Sequence, residues 1–181
     1  VDLGQIHQAA VVITTGKSIV VSGRGIRSTK RLLNKSYTKI NKKRSRCKKG
    51  SKRWRKLQRA RRKLSTRVER RVRDLAHKGT RKVIDFCKKE NVEKIFVGNP
   101  DGVQRKNSGK KQNQRMSQWE FGRDINYLEH KSQKAGMECF TGSERGTSSL
   151  CPQCSFKKKP SGRRWKCPKC LFFGHRDLVG A

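Results

Sequence analysis

The sequence predicts an α/β domain: a mixed sheet flanked by helices, interrupted near its end by an inserted four-cysteine metal ribbon. Three observations predict it. The chain opens on short β-branched runs separated by a glycine turn. A long stretch with apolar residues at spacings of three and four follows, and then strand-like and helix-like segments alternate. Near the end stand two Cys-x2-Cys doublets, CPQC and CPKC, with twelve residues between them.

The elements follow in order. VDLG is a short first strand. Ala9 to Thr14 (AAVVIT) and Ser18 to Gly23 (SIVVSG) are β-branched runs joined at Gly16-Lys17, which predicts a hairpin. Residues 30–90 are strongly cationic and helical in pattern. Trp54, Leu57, Ala60, Leu64, Val68, Val72 and Leu75 form one apolar face, Gly50-Ser51 divides the segment into a helical hairpin, and Gly79 is expected to break or cap the helix before Val83, Ile84 and Cys87 resume the stripe. Residues 93–100 form a short strand of the buried type. Residues 101–115 read as a polar, glycine-containing loop without apolar periodicity. Residues 117–135 return to helix with Trp119, Phe121, Ile125 and Leu128 on its buried side, ended by Gly136. Met137 to Glu144 is another strand, and a last element begins at Asp177. Three antiparallel strands followed by alternating helix and strand match the ribonuclease H topology, one candidate among several α/β folds.

Composition narrows the partners. Among 181 residues, Lys and Arg total 48 against 13 Asp and Glu, a formal charge of +35. That excess disfavours a small-molecule enzyme and points to a polyanion bound with steep salt dependence. No apolar run approaches the ~20 residues that span a bilayer, and no secretory signal is visible, so a membrane partner is not expected. Seven cysteines, four in doublets, suit a reducing, cytoplasmic compartment with one metal site better than a disulfide framework. The absence of a start methionine suggests a fragment of something larger. Charges as dense as those of Arg53, Arg55, Lys56, Arg59, Arg62, Lys63, Arg67, Arg70 and Arg71 repel one another at helical spacing, so this face is expected to meet phosphates.

Two motifs carry chemistry. Cys151, Cys154, Cys167 and Cys170 supply four thiolates in the spacing of a structural zinc site, and a closed sulfur shell leaves no position for a catalytic water. Lys157, Lys158, Arg163 and Arg164, between the doublets, either touch nucleic acid or form a solvated face. Among the carboxylates, those on helices are read as ion-pairing or helix-face groups, and Glu93 and Glu138 stand at strand starts. Asp2, Asp101, Glu144 and Asp177 remain at strand ends, loops or helix starts. Phosphodiester hydrolysis with two Mg²⁺ ions needs several converging carboxylates, and Asp2, Glu144 and Asp177 are the candidates; each alone could equally be a cap or a surface charge. The four histidines are dispersed and read as surface or core side chains, with only His175 close in sequence to a candidate acid.

VDLG, the basic stretch KKGSKRWRKLQRARRKLSTRVERRVRDLAHKGTRKV, SERGTSSLCPQC and CPKCLFFGHRD together resemble the TnpB family, transposon-encoded RNA-guided DNA endonucleases related to type V CRISPR effectors. The resemblance implies a RuvC-like, ribonuclease H-type core over residues 1–144, a zinc-ribbon target-nucleic-acid-binding insertion over 145–174, and the start of the last RuvC segment over 175–181. It implies that N-terminal recognition parts of a full protein are absent and that the last segment is cut short. It further implies a guide RNA and target DNA as partners, action at the nucleoid, and Mg²⁺-dependent cutting. Asp2 and Asp177 match the first and third RuvC acids. The usual second glutamate is replaced by Gly98-Asn99, and Glu144 fits a subgroup that carries it on the following strand. Failing that, the family pattern implies a nuclease-dead, RNA-guided DNA binder acting as a repressor. The oligomeric state is not legible.

Overall fold

A computed structural model describes every residue except 101, 104–106, 145 and 160; Asp101, one of the leftover acids, therefore lies outside the described residues. The chain divides into two compact units, residues 24–78 and the remainder.

In the larger unit, β1 (Asp2–Leu3), β2 (His7–Val12) and β3 (Ser18–Ser22) form the expected antiparallel ladder. β4 (Lys94–Asn99) and β5 (Glu138–Ser143) pair in parallel, Ile95 opposite Cys139 and Val97 opposite Thr141. Val1 joins the two ladders. Its nitrogen donates to the Phe96 carbonyl at 2.7 Å, and its carbonyl accepts from the Gly98 N–H at 2.9 Å. That pattern is a parallel pairing of Val1 with Val97, so hydrogen bonds run through the order β3-β2-β1-β4-β5.

Alternation in the strands selects the core. Ile95 and Val97 point inward with Leu3, Ala9, Val11 and Val21, while Phe96, between them, is 58% exposed. Val83, Ile84 and Cys87 from the last turns of α2 (Lys52–Lys89) and Ile125 and Leu128 from α4 (Phe121–Lys134) complete this core. Gly79 does not end α2, contrary to the sequence expectation. A Cβ there would lie 1.9 Å from Gln8 Oε1, so the glycine serves close approach to β2. Gln8, itself buried, donates through Nε2 to the buried Asp124 Oδ1 at 2.9 Å, which satisfies both groups where an unpaired one would be costly.

The connection after β4 also departs from expectation. Part of the stretch read as loop is helical: α3 spans Lys110–Ser117. Its sequence lacks an apolar stripe, and Met116 is its one buried side chain. Asparagines organise its entry instead: Asn113 Oδ1 accepts from the Ser108 N–H, and Asn113 Nδ2 donates to Asn107 Oδ1. The helix read over 117–135 starts only at Phe121, after a turn in which the Trp119 N–H donates to the Met116 carbonyl.

The smaller unit is the basic hairpin: α1 (Arg24–Arg44) and the first part of α2. Close contact between Gly25 and Leu75, the Arg61 guanidinium 4.5 Å above the Tyr37 ring and Arg44 bonded to Gln58 hold it. Val68 and Val72 of the stripe are buried, whereas Ala60 is exposed, its neighbour Arg61 taking the packed position.

Candidate metal centres and nucleic-acid interface

The ribbon is built from two equivalent turns. In each doublet the residue after the second cysteine, Ser155 or Leu171, adopts a left-handed backbone (φ 56° and 60°). This turns the chain so that the first cysteine of each doublet donates its N–H to a carbonyl two residues past the second: Cys151 to Phe156 at 3.0 Å, Cys167 to Phe172 at 2.8 Å. Strands β6 (Arg164–Lys166) and β7 (Phe173–His175) pair behind them, and buried Trp165 packs near Phe172 between the cysteines. The four sulfurs lie within 4.8 Å of one another, with Cys151–Cys170 and Cys154–Cys167 at 3.5 Å. Thiolates around a tetrahedral zinc at ~2.3 Å lie about 3.8 Å apart, so this donor set could hold zinc. Burial opposes ionisation of Cys167, but the backbone N–H groups of Cys170 and Lys169, together with the Cys154 and Cys170 sulfurs, outweigh it and draw the thiol down to about 6.

The acids come from three distant places. Asp2 lies on β1, Glu144 directly follows β5, and Asp177 stands in the first turn of α5 (Arg176–Val179). β4 runs between β1 and β5, so Glu144 must cross it to approach Asp2. It crosses at Gly98: a Cβ at that position would be 2.7 Å from Glu144 Oε2 and 3.0 Å from its Cβ. A side chain at 98 and the side chain of Glu144 compete for one space. Glu144 Oε2 and Asn99 Oδ1 are buried without a hydrogen-bond partner among the described residues, and orphaned buried oxygens of this kind suit a cation. Burial first, then the charges of Glu144 and Asp177, push the Asp2 carboxyl up to about 7. Burial also raises Glu144. Gly180 of the C-terminal segment backs Asp2, with its would-be Cβ 3.5 Å from Asp2 Oδ2.

Asp177 is bound differently. His7 Nδ1 lies 2.7 Å from Asp177 Oδ2, and the His175 ring sits edge-on to His7 with centroids 5.2 Å apart. Burial alone would raise Asp177, but the His7 hydrogen bond and the nearby His175 and Arg176 charges hold it below the usual carboxylate range. Among the described residues, His7, His175 and Asp177 form a group able to share an ion, and the Asp2–Glu144 pair adjoins it rather than belonging to it. Sequence reading missed His7. Nothing in its spacing links it to Asp177; only the docking of α5 beside β2 does.

The cationic candidates lie at the surface. Arg53, Arg55, Lys56, Arg59, Arg62, Lys63, Arg67, Arg70 and Arg71 are all exposed on the hairpin, as are Lys157, Lys158, Arg163 and Arg164 on the ribbon. Lys158 Nζ donates to the Lys166 carbonyl, and Arg163 reaches to 3.9 Å from Asp177. No helix among the described residues is long and apolar enough to cross a membrane.

Comparison with known proteins agrees along most of the chain. The family model OrfB_IS605, a probable transposase, matches residues 1–104, and the Cas12f1-like TNB domain matches residues 121–181. A TnpB-like protein of Methanocaldococcus jannaschii, MJ0751, is 32% identical over 120 residues, 65% of this chain and 43% of that one. Two cryo-EM structures share the fold over 99% of the chain. A Cas12f1–sgRNA–target DNA complex does so with a TM-score of 0.76 at 17% identity, and a CRISPR-Cas12f ternary complex with 0.79 at 19%. The chain spans 47% and 36% of those two proteins, less than half the length of each relative described. With its first 104 residues matched by the transposase family and the cysteine-bearing end by the TNB domain, the chain belongs to the TnpB family.

Proposed function

We propose that this chain is the catalytic portion of an RNA-guided DNA endonuclease of an insertion-sequence transposon. The order β3-β2-β1-β4-β5, with β2 antiparallel to its neighbours, supports reading the sheet as ribonuclease H-like, of the RuvC kind. The observation that carries the proposal is the crossing at Gly98. A glutamate from β5 reaches over a strand that has given up its own side chain, and arrives beside the aspartate of β1 with an unpaired oxygen. Two adjoining acids repel each other when both are ionised, and a proton or a bound cation offsets that repulsion.

Asp2, Glu144 and Asp177 would hold Mg²⁺, with Asn99 Oδ1 as a further oxygen donor. When bound, the cations supply an activated water and stabilise the leaving oxygen of the phosphodiester. The chain's own residues do the rest. Asp2 would give up the proton that its burial favours, Glu144 would be held over Gly98, and the docking of α5 brings Asp177 beside His7. The four cysteines hold Zn²⁺ as a structural ion that fixes the ribbon. The hairpin and ribbon cations hold the backbones of guide RNA and target DNA, with sequence read by base pairing rather than by side chains.

The test is divalent-cation-dependent cleavage of matched DNA by the protein co-expressed with RNA from its own locus. Glu144→Ala is expected to abolish cleavage while leaving guide-dependent binding intact. Binding without cleavage by the unmodified protein would instead support a guided, nuclease-dead repressor. Cleavage undiminished in Glu144→Ala would remove Glu144 from the site.

A further inference from the structure

We infer that the Asp177 end of the site is a two-histidine, one-carboxylate position, built from His7, His175 and Asp177, which takes a transition divalent cation such as Mn²⁺ in preference to Mg²⁺. The inference rests on reading Asp177 as a cation ligand and goes beyond it in the donors and in the ion.

The geometry comes first. One ligand atom from each of the three residues falls within 4.8 Å of the other two. Donors bound to one ion at ~2.1 Å stand about 3 Å apart when adjacent and about 4.2 Å apart when opposite. The 2.7 Å between His7 Nδ1 and Asp177 Oδ2 is already close to the adjacent spacing. His175 Nδ1 accepts the Asp177 backbone N–H at 3.3 Å, which holds the ring beside Asp177. All three residues are half-buried, reachable by an ion yet held by the packing of α5 on β2.

Chemistry then separates this position from its neighbour. Asp2, Glu144 and Asn99 offer oxygen alone, which suits Mg²⁺, an ion that takes oxygen ligands and gives up its waters reluctantly. Two imidazoles beside a carboxylate suit transition ions, and Mn²⁺ accepts both nitrogen and oxygen donors. The positive neighbours work against any cation: Arg176 Nε is 3.5 Å from Asp177 Oδ1 and Arg163 Nη1 is 3.9 Å from Oδ2. Both guanidinium groups are over 40% exposed and can turn to solvent, whereas the histidines are held in place. The site is thereby asymmetric, hard at Asp2–Glu144 and softer at Asp177.

The experiment uses the zinc-loaded protein, so that the cysteines do not compete. Mn²⁺ is titrated in with excess Mg²⁺ present, and free Mn²⁺ is read by electron paramagnetic resonance. One Mn²⁺ is expected to resist Mg²⁺. His7→Gln and His175→Gln should each weaken its binding at least about tenfold, while Glu144→Gln leaves it in place. A measurement on the unmodified chain guards against misfolded variants: substoichiometric Mn²⁺ should broaden the His7 and His175 ring resonances and spare those of His77 and His130. Complete displacement of Mn²⁺ by Mg²⁺, or histidine resonances all equally sharp, would overturn the inference. The two ideas fail separately. A protein that retains Mn²⁺ at the histidines but never cleaves DNA sinks the nuclease reading alone. One that cleaves with Mg²⁺ and shows no histidine broadening sinks this inference alone.

Discussion

The cysteine cluster and the acid cluster assemble candidate metal ligands by opposite means. The cysteines lie within twenty residues of one another, and two repeated turns aim them. Their shell is closed and identical in chemistry all round. The acids are separated by most of the chain, brought together by strand order, and mixed with histidines. Local spacing produces a rigid, saturated site. Topology produces one with unpaired oxygens and uneven donors.

The comparison breaks most sharply at the cysteines. Cys167→Ser should unfold the ribbon while sparing the sheet, because zinc affinity and ribbon folding are one free energy, on the order of 10 kcal/mol in zinc modules. Limited proteolysis would show new cuts confined to residues 146–175; cuts spreading into β4 or β5 would refute the separation. At the acids the break is subtler. Gly98→Ala should cost about 1–3 kcal/mol by forcing Glu144 aside and should abolish tight cation binding. The swap Gly98→Glu with Glu144→Gly should restore binding, since both positions feed one space. A swap variant that unfolds earlier than Gly98→Ala and binds nothing would refute the shared-space account.

Proton linkage gives a prediction of intermediate size. The Asp2 carboxyl is raised from 3.8 to about 7, so the folded state holds a proton that the unfolded state has released. Stability without divalent cations should therefore fall as pH rises from about 4 to 7, and Asp2→Asn should flatten that part of the melting profile. On the hairpin, replacing Arg59, Arg62 and Arg70 with Gln should reduce the salt slope of nucleic-acid binding by about 0.9 for each duplex phosphate left without a cationic partner; an unchanged slope would place the phosphates against another face. The smallest effect is local. Leu171, 69% exposed with φ of 60°, carries a left-handed strain that Leu171→Gly should relieve, raising ribbon stability by about 1 kcal/mol, as read by thermal melting of the zinc form.

What could be read in advance follows the same division. The cysteine donors, the opening hairpin and the strands around Ile95 and Cys139 are local patterns, and each is visible in residue spacing. Asp2, Glu144 and Asp177 could be shortlisted because acids are rare in so basic a chain. Their geometry could not, because it depends on β4 lying between β1 and β5. Gly79 misled for a related reason: a glycine in a helix reads as a break, but here its bareness admits Gln8. Helix α3 escaped notice because asparagine bonds rather than an apolar stripe set its start. His7 carried no local sign at all.

The claim on which the account depends is that Asp2 and Glu144 meet over Gly98 to hold a divalent cation. Crystals of the zinc-loaded protein soaked in Mn²⁺ and measured for anomalous scattering test it most directly. The account predicts a manganese peak about 2.0–2.6 Å from carboxylate oxygens of both residues. A peak that touches neither of them, or none outside the cysteine cluster at saturating Mn²⁺, would contradict it.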